Sequence, residues 1–455
     1  MKYLTSINSS WDIFINKLLE KLRQVSEHPG AQKYIFNTSW MFFEQGLRLL
    51  AGLFVGAWMA RYLGPESYGL FSYALAYYFI FQAAGKLGLD DIIIKALVEK
   101  PETTNKILGT SFWLKFLSSF VFVAIMIFAI FISDEDPKMR LYVAIVSLGL
   151  IFRSFEVTDF YFRSQVQARF ISICRIIQLS INSIIKILLI VYDADLVYFV
   201  ITIFLENFML GMLYFIAYRM KGYQSFFKAF DPNLAKRFLK LATPLMISSV
   251  AVTLYTRVDQ LIISEILDDV AVGTYAVSFK VTEILYTIPI LLCSSLFPAI
   301  VNAKSKGLEV YQTRLKRLYS FLTVTSISIG LFISIFSEVI IKFLYGDAFA
   351  EAANILVIQT WTLVFVSIGT VSTSWYITEG LQKLELWRNI FGAIVNITLN
   401  FALIPRLGVI GAAWASLCGY FVSSILFDLI HPKARISFKL KMAALNPADI
   451  FGLKQ

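Results

Sequence analysis

The sequence predicts an all-α integral membrane protein with twelve transmembrane helices in two pseudo-symmetric six-helix lobes. Three observations support this prediction. Of the 455 residues, 58% are hydrophobic and only 16% are charged, whereas roughly 25% are charged in an ordinary soluble domain. The apolar residues collect in twelve long runs, and the basic residues concentrate in alternate connecting segments. A soluble protein of this length could not bury so much apolar surface in its cores.

Each apolar run is close to the length of about 20 residues that a helix needs to cross a hydrocarbon core about 30 Å thick. The runs are too long for the strands of a membrane barrel, so a helical bundle is expected. In chain order, the predicted spans are residues 36–60, 67–89, 107–132, 141–162, 170–192, 196–218, 241–264, 271–301, 318–337, 351–378, 386–404 and 409–430.

The charges between the spans predict the orientation in the membrane. The odd-numbered connections contain 5 basic and 12 acidic residues, whereas the two ends and the even-numbered connections contain 30 basic and 13 acidic residues. Basic residues favour the cytoplasmic side, so both termini are expected in the cytoplasm. The expected location of the protein is the plasma (inner) membrane. This topology explains the net charge of +10, and no nucleic-acid partner is expected.

The predicted domains follow from the spans. Residues 1–34 have apolar side chains at helical spacing, which favours an amphipathic cytoplasmic segment on the membrane surface. A docking site for a partner is the alternative interpretation of this segment. An N-lobe over 35–222, a cytoplasmic linker over 223–240, a C-lobe over 241–430 and a cytoplasmic tail over 431–455 complete the chain.

A weak internal repeat relates the two predicted lobes. Gly69 follows the first span as Gly273 follows the seventh, and Asn182 in the fifth span matches Asn396 in the eleventh. Each pair joins span n to span n + 6, so both lobes keep the same orientation in the membrane. Two parallel repeats related by an axis along the membrane normal are typical of transporters.

Few residues suit catalysis or metal binding. The cysteines, Cys174, Cys293 and Cys418, stand at unrelated spacings within apolar runs, and the two histidines lie near the ends of the chain. These patterns predict buried thiols without disulfides, no metal site, no cofactor and no catalytic residues.

Several short segments occur in a characteristic order along the chain. They are ARYLGPESYG at 60–69, RVDQ at 257–260, VGTY at 272–275, LYGDAF at 344–349, and the asparagines and glycines between 396 and 413. Together these segments resemble the polysaccharide transporter family of the multidrug/oligosaccharidyl-lipid/polysaccharide exporter superfamily. The chain departs from the repeat at Lys186, which stands where an asparagine would match Asn400.

The resemblance implies a flippase, not an enzyme, that moves undecaprenyl-pyrophosphate-linked oligosaccharide units across the membrane by alternating access. Its products would serve surface polysaccharides such as the O-antigen of lipopolysaccharide. The implied partners are the lipid-linked oligosaccharide, membrane lipids, a polysaccharide polymerase and chain-length machinery. Two alternatives stay open, namely a cation-coupled multidrug exporter of the same superfamily and a membrane oligosaccharide polymerase or ligase.

Twelve charged residues remain once the charges counted in the connections and the two ends are set aside, and each would cost about 2.5–3.5 kcal/mol at the bilayer centre. They are therefore expected to face a cavity or each other. The basic members are Arg48, Lys115, Arg153, Lys186, Arg257 and Lys280, and the acidic members are Glu44, Glu156, Asp159, Glu206, Asp259 and Glu283.

The basic set provides the predicted substrate site. Arg48, Lys186, Arg257 and Lys280 are expected to face a cavity between the lobes, where they would replace the water around a pyrophosphate. The acidic candidates for ion coupling are Glu44, Glu206 and Asp259.

The competing interpretation is structural. Glu44–Arg48, Arg153–Glu156 and Lys280–Glu283 share a helix face at a spacing of three or four residues and would neutralise each other. Lys115 and Asp159 stand near the predicted cytoplasmic end and are expected to reach the membrane surface.

Overall fold

A computed structural model describes residues 29–133 and 136–444, and the side chains of all these except 29–38, 298 and 299. Every regular element in these residues is a helix. The predicted amphipathic segment lies mostly outside the described residues. Its last residues, from Pro29, already belong to the first helix.

The first helical stretch, Pro29–Gly85, consists of two helices that meet at Gly64. Gly64 adopts φ 72° and ψ 172°, a conformation that glycine reaches without steric cost, and Pro65 follows with no N–H to continue the hydrogen bonds. We call residues 29–63 α1 and residues 65–85 α2. The break falls inside the connection predicted between the first two spans.

The remaining helices follow in chain order. They are α3 Asp90–Glu99, α4 Thr104–Ile132, α5 Pro137–Ser164, α6 Ala168–Val191, α7 Leu196–Met220, α8 Pro232–Ile266, α9 Asp269–Ser305, α10 Leu308–Tyr345, α11 Ala352–Thr378, α12 Gln382–Leu407, α13 Val409–Ile430 and α14 Arg435–Ala444. Short 3₁₀ turns occupy Pro101–Thr103, Arg153–Glu156 and Asp347–Phe349.

Ten helices of the described chain, α4 to α13, are long and apolar enough to cross a membrane. Their outward faces display many large apolar side chains, among them Phe128, Ile335 and Phe343. Such exposure over every long helix is expected when lipid covers the surface. The protein is therefore an all-α, multi-pass membrane protein.

Helix α8 begins at Pro232, inside the linker predicted over 223–240. Asp231 caps this helix by accepting hydrogen bonds from the backbone N–H groups of Asn233 (2.9 Å) and Leu234 (3.1 Å). Proline at the first helical position is preorganised for a helix start. The sequence prediction followed hydropathy alone, and it missed this polar first turn.

The residues before α8 are docked on the first half of the chain. Trp113 of α4 donates its indole N–H to the carbonyl of Phe227 (2.8 Å), and Thr110 accepts from the backbone N–H of Asp231 (3.0 Å). Phe226 is fully buried. The segment therefore packs against α4 instead of extending into solvent.

The two glycines of the predicted repeat face each other where α2 and α9 cross. A Cβ atom on Gly69 would overlap the carbonyl oxygen of Asp269, and one on Gly273 would overlap the carbonyl oxygen of Pro65. Only glycine at both positions lets the two backbones approach this closely. The crossing lies next to the connections that the charge pattern predicts to face outside.

Candidate functional site

A central cavity of about 520 Å³ lies among helices from both halves of the sequence. The first half supplies α1, α2, α5, α6 and α7, and the second supplies α8 and α9. The crossing of Gly69 and Gly273 lies beside Tyr68 and Ala276, which line this cavity. The volume is within the range of about 300–1,000 Å³ that is typical of ligand sites.

The charged lining of the cavity is mainly basic. All four predicted substrate residues line it, together with one further arginine and two glutamates. The basic side chains are Arg48, Arg153, Lys186, Arg257 and Lys280, and the acidic ones are Glu206 and Glu283. The other two predicted ion-coupling residues, Glu44 and Asp259, are buried behind this lining.

Lys186 is the least neutralised of the four predicted cations. Within the described residues, no carboxylate lies within 4.0 Å of its ammonium group, although it interacts electrostatically with Glu206 across to α7. Glu206 instead accepts a hydrogen bond from Nδ2 of Asn182 (3.1 Å). Lys186 therefore faces the cavity with an ammonium group that no ion pair holds.

Arg257 and Lys280 share one carboxylate. Both form ion pairs with Glu283, at 3.0 Å for the Lys280 ammonium, so this group of three keeps one positive charge. The Arg257 guanidinium also lies over the rings of Phe79 (4.6 Å) and Phe279 (5.0 Å). These cation–π contacts join α8 to α2 and α9 at the cavity wall.

Arg48 belongs to a chain of ion pairs that leads away from the cavity. Glu44 accepts from Arg48 (2.7 Å), and its second oxygen lies 3.5 Å from Arg175 of α6. Arg175 continues to Asp159 (3.2 Å), which Arg163 holds from the next turn of α5 (2.8 Å). Two guanidinium groups thus neutralise Glu44. Asp159 is buried and paired with Arg163 and Arg175, so the prediction that it reaches the membrane surface is wrong.

Lys115 also differs from its prediction. Its side chain is 2% exposed, and its ammonium lies 3.1 Å from Asp90 and 3.2 Å from Glu156. Glu156 in turn holds Arg153, which lines the cavity. The expectation that Lys115 snorkels is wrong, because two carboxylates on α3 and α5 compensate its charge inside the bundle.

Asp259 lies in a buried polar cluster formed by α8, α9, α12 and α13. Its carboxylate accepts hydrogen bonds from Tyr275, Ser416, Asn396 (3.0 Å) and Asn400 (2.6 Å). Within the described residues no basic group lies within ion-pair distance of Asp259, and the amide oxygens of both asparagines have no hydrogen-bond partner. An ionised carboxylate buried in this way is costly unless a proton or a cation joins it.

The repeat predicted from Asn182 and Asn396 reappears as two comparable contacts. Each asparagine donates its amide N–H to a carboxylate of a neighbouring helix, Glu206 in one half and Asp259 in the other. The second position of the motif differs, since Lys186 stands in the first half and Asn400 in the second. The first half therefore places an ammonium group where the second half places an amide.

Sequence reasoning missed two basic residues near the cavity. The sequence analysis paired Arg153 with Glu156, and this ion pair is present. It did not predict that Arg153 also lines the central cavity. Lys86 was counted among the charges of the cytoplasmic connection after the second span, and the structure places it in the lining of a second cavity beside the first. Lys86 directly follows α2, and its spacing of four residues from Gln82 and seven from Phe79 is the signal that could have found it.

Family models match much of the chain. A model described as polysaccharide biosynthesis protein matches residues 35–304, which is more than half of the chain. A second model, described as MatE, matches residues 244–402.

Relatives with curated names agree with these models. Stage V sporulation protein B of Bacillus subtilis is 24% identical over 436 residues, which cover 86% of this chain and 82% of that protein. The probable low-salt glycan biosynthesis flippase Agl15 of Haloferax volcanii is 24% identical over 227 residues, 48% of this chain and 46% of that protein. The probable flippase AglR of the same organism is 29% identical over 188 residues, 40% and 38% of the two chains. The chain thus matches about half or less of the length of these two archaeal relatives.

Solved structures share the fold. A multidrug resistance MATE family transporter of the MOP superfamily, in an inward-facing conformation, superposes with a TM-score of 0.70 at 16% identity, covering 89% of this chain and 96% of that one. The lipid II flippase MurJ, in an inward closed conformation, gives a TM-score of 0.67 at 17% identity, covering 90% and 91%. From the family model that spans residues 35–304, with which the curated relatives agree, the chain belongs to the polysaccharide biosynthesis protein family.

Proposed function

We propose that this protein flips undecaprenyl-pyrophosphate-linked oligosaccharide units from the cytoplasmic to the outer leaflet of the plasma membrane, for surface polysaccharide biosynthesis. The observation that supports this most is the charge of the central cavity, whose lining has five basic and two acidic side chains. When a pyrophosphate leaves water, groups of the protein must replace its hydration and neutralise its charge. Arginine does so through paired hydrogen bonds and lysine as a mobile point charge.

The proposal includes a twelve-span topology, with α1, α2 and α4 to α13 as the spans. The lobes would be residues 35–222 and 241–430, with both termini and the segment between the lobes in the cytoplasm. The charge split between alternate connections supports this orientation. Flipping would proceed by alternating access, with the lobes rocking about the cavity. A polysaccharide polymerase and its chain-length machinery would use the flipped units.

The four basic residues would act in two ways. Lys186 has no ion pair within the described residues, so it can bind a phosphate without breaking one. Arg257 and Lys280 share Glu283 and would bind an anion with their one remaining positive charge. Arg48 would contribute in the same way, because Glu44 also serves Arg175.

Among the acidic candidates, Asp259 suits ion coupling best. Its four hydrogen bonds come from neutral donors, so a proton or a sodium ion would supply the missing positive charge. Glu206 has a neutral donor as well, but Lys186 lies close enough to compensate it electrostatically. Glu44 already contacts two guanidinium groups. Asp259 is therefore proposed to bind the coupling ion.

A cation-coupled drug exporter is the alternative within the superfamily, and the match of the MatE model over 244–402 keeps it relevant. Such an exporter would need acidic and apolar side chains to hold cationic drugs. The excess of basic side chains in this cavity would repel them. The charge of the cavity therefore favours an anionic substrate.

Purified protein in proteoliposomes tests the proposal directly. The probe is an undecaprenyl-pyrophosphate-linked disaccharide, and its appearance in the opposite leaflet is followed by a glycan-modifying enzyme that cannot enter the vesicles. The wild type should flip the probe, and Lys186→Ala should lower the rate about tenfold or more, with partial recovery in Lys186→Arg. Lys236→Ala, an exposed cation on α8, is the matched control and should keep the wild-type rate.

The outcome that contradicts the proposal is equally clear. If the wild type does not flip the disaccharide probe but moves a cationic dye under an ion gradient, the drug exporter is the correct function.

For the coupling ion, Asp259→Asn should abolish the response of flipping to a sodium or proton gradient, whereas Glu206→Gln should preserve it. Retention of the full response in Asp259→Asn would exclude Asp259 as the coupling residue.

A further inference from the structure

A second cavity, of about 180 Å³, lies between α2 and α8 beside the central one. We call it the side cavity. Most of its lining is polar, and the polar residues are Gln82, Lys86, Ser249, Thr253, Thr256 and Arg257. Gln82 and Arg257 also line the central cavity, so the two cavities share a wall.

Lys86 gives the side cavity an uncompensated positive charge. It interacts electrostatically with two carboxylates, Asp90 and Glu156, and with two other cations, Lys115 and Arg153. The four other groups already pair with one another as ion pairs. Within the described residues, no carboxylate lies within 4.0 Å of Lys86. Three cations thus face two anions, and the surplus charge is on the lysine that lines the cavity.

The neighbouring polar groups suit a sugar. Gln82 is 7% exposed, and its amide nitrogen has no well-formed hydrogen bond within the part of the chain that the structure describes. Thr253 and Thr256 donate their hydroxyl hydrogens to backbone carbonyls of α8. Their oxygens are therefore left as acceptors for hydroxyl groups of a ligand. A cation, an amide donor and hydroxyl acceptors match an anionic group attached to a polyhydroxylated ring.

We propose that the side cavity binds an acidic sugar of the transported glycan, with the carboxylate of that sugar on Lys86 and its hydroxyl groups on the threonines of α8. This inference rests on the proposed function. It adds that the substrate has a negative charge on its glycan besides the pyrophosphate. With the lipid-linked pyrophosphate in the central cavity, the first sugars would extend past Arg257 into the side cavity.

Two probes that differ in one carboxylate test the inference. Undecaprenyl-pyrophosphate-linked disaccharides with a terminal glucuronic acid or a terminal glucose are compared for binding and flipping in proteoliposomes of zwitterionic lipid. The wild type should bind the glucuronic acid probe on the order of tenfold more tightly, as expected for a charge-assisted hydrogen bond in a partly desolvated site. Lys86→Met should remove this preference by lowering the affinity for the glucuronic acid probe to that for the glucose probe. Lys86→Arg should retain it.

A matched control and a second variant keep the test independent of folding. Lys106→Met removes an exposed cation on α4 and should preserve the preference. Thr253→Val should weaken the binding of both probes equally, because it affects sugar hydroxyls and not the carboxylate. The inference is overturned if the wild type binds both probes equally, or if Lys86→Met weakens both equally, since Lys86 would then belong to the pyrophosphate site.

The phosphate of a membrane lipid is an anion like the carboxylate of an acidic sugar, so it is the competing ligand for Lys86. A further experiment with anionic lipid distinguishes the two. The glucose probe is flipped in vesicles with and without phosphatidylglycerol. If Lys86→Met changes only the effect of phosphatidylglycerol on flipping, the side cavity binds a lipid headgroup and the acidic sugar is excluded. If the wild type flips neither disaccharide in any vesicle, the proposed function itself is wrong.

Discussion

The crossing of α2 and α9 allows a sharp test of how the cavity opens. A Cβ atom on Gly69 would overlap the carbonyl oxygen of Asp269 and would lie 2.8 Å from its carbonyl carbon, whereas ordinary contact begins at 3.4 Å. The helices must therefore separate by more than about one ångström to accept alanine. Such overpacking costs about 1–3 kcal/mol. Because this cost applies only while the crossing is closed, Gly69→Ala should shift the equilibrium towards the open conformation by roughly 5- to 150-fold.

The assay measures access to the cavity from outside. Ser72 lines the cavity near the crossing, so Ser72→Cys reports access once the three native cysteines are replaced. In whole cells, Gly69→Ala should raise the rate at which a membrane-impermeant maleimide labels this cysteine by at least fivefold. The helix propensity gained from alanine, about 1 kcal/mol, is the same in both conformations and does not contribute.

Gly46→Ala is the matched control for this experiment. Gly46 lies in α1, and no atom stands within 4 Å of where its Cβ would be. Its substitution should leave the labelling rate within about twofold of the parent. Equal labelling rates in the Gly69 and Gly46 variants would refute the reasoning that the glycine crossing holds the cavity closed.

Three further predictions concern topology and buried charge. Cysteines placed at Asp136 and Asp195 should be labelled from outside intact cells, and one at Lys236 only after permeabilisation; the reverse pattern would invert the proposed orientation. Lys115→Met should lower the free energy of unfolding by about 1–3 kcal/mol, because Asp90 loses its ion pair and Glu156 keeps only Arg153. Thermal unfolding in detergent measures the loss of stability. The control Lys106→Met removes an exposed cation and should change the free energy of unfolding by no more than about 0.5 kcal/mol. If both variants lose the same stability, Lys115 reaches the membrane surface as the sequence predicted. Lys441→Met should cost more, about 3–5 kcal/mol, since Lys441 of α14 forms a fully buried ion pair with Asp428 at 2.5 Å. The double variant Lys441→Met/Asp428→Leu should recover most of that loss, and additive losses would argue against the pair.

The sequence could predict much of the fold because its evidence is local. Hydropathy located the long helices, since a span must be apolar along its whole length whatever it packs against. The connection predicted between spans 36–60 and 67–89 contains Gly64-Pro65, where the break between α1 and α2 falls because both residues constrain the backbone locally. Helix α8 begins nine residues before the span predicted over 241–264, because its cap and polar first turn lie outside the apolar run.

The site was only partly predictable. Charge inside an apolar run is rare enough to indicate a cavity or an ion pair, so Arg48, Lys186, Arg257 and Lys280 could be chosen from the sequence. Neighbouring charges could be paired along one helix, and the pair Lys280–Glu283 is present. The spacing could not tell that Glu283 also holds Arg257, from 26 residues away on another helix.

The sequence by itself determined the class of protein, the positions of its long helices and the set of charges that must avoid lipid. The tertiary structure alone decided which of these charges share a cavity and which are neutralised behind it. Asp259 and Asn396 illustrate the difference, because 137 residues separate them along the chain and a hydrogen bond of 3.0 Å joins them in the fold. Hydropathy and helical spacing act over a few turns of one helix. The pairing of distant side chains depends on how whole helices pack, which no local pattern specifies.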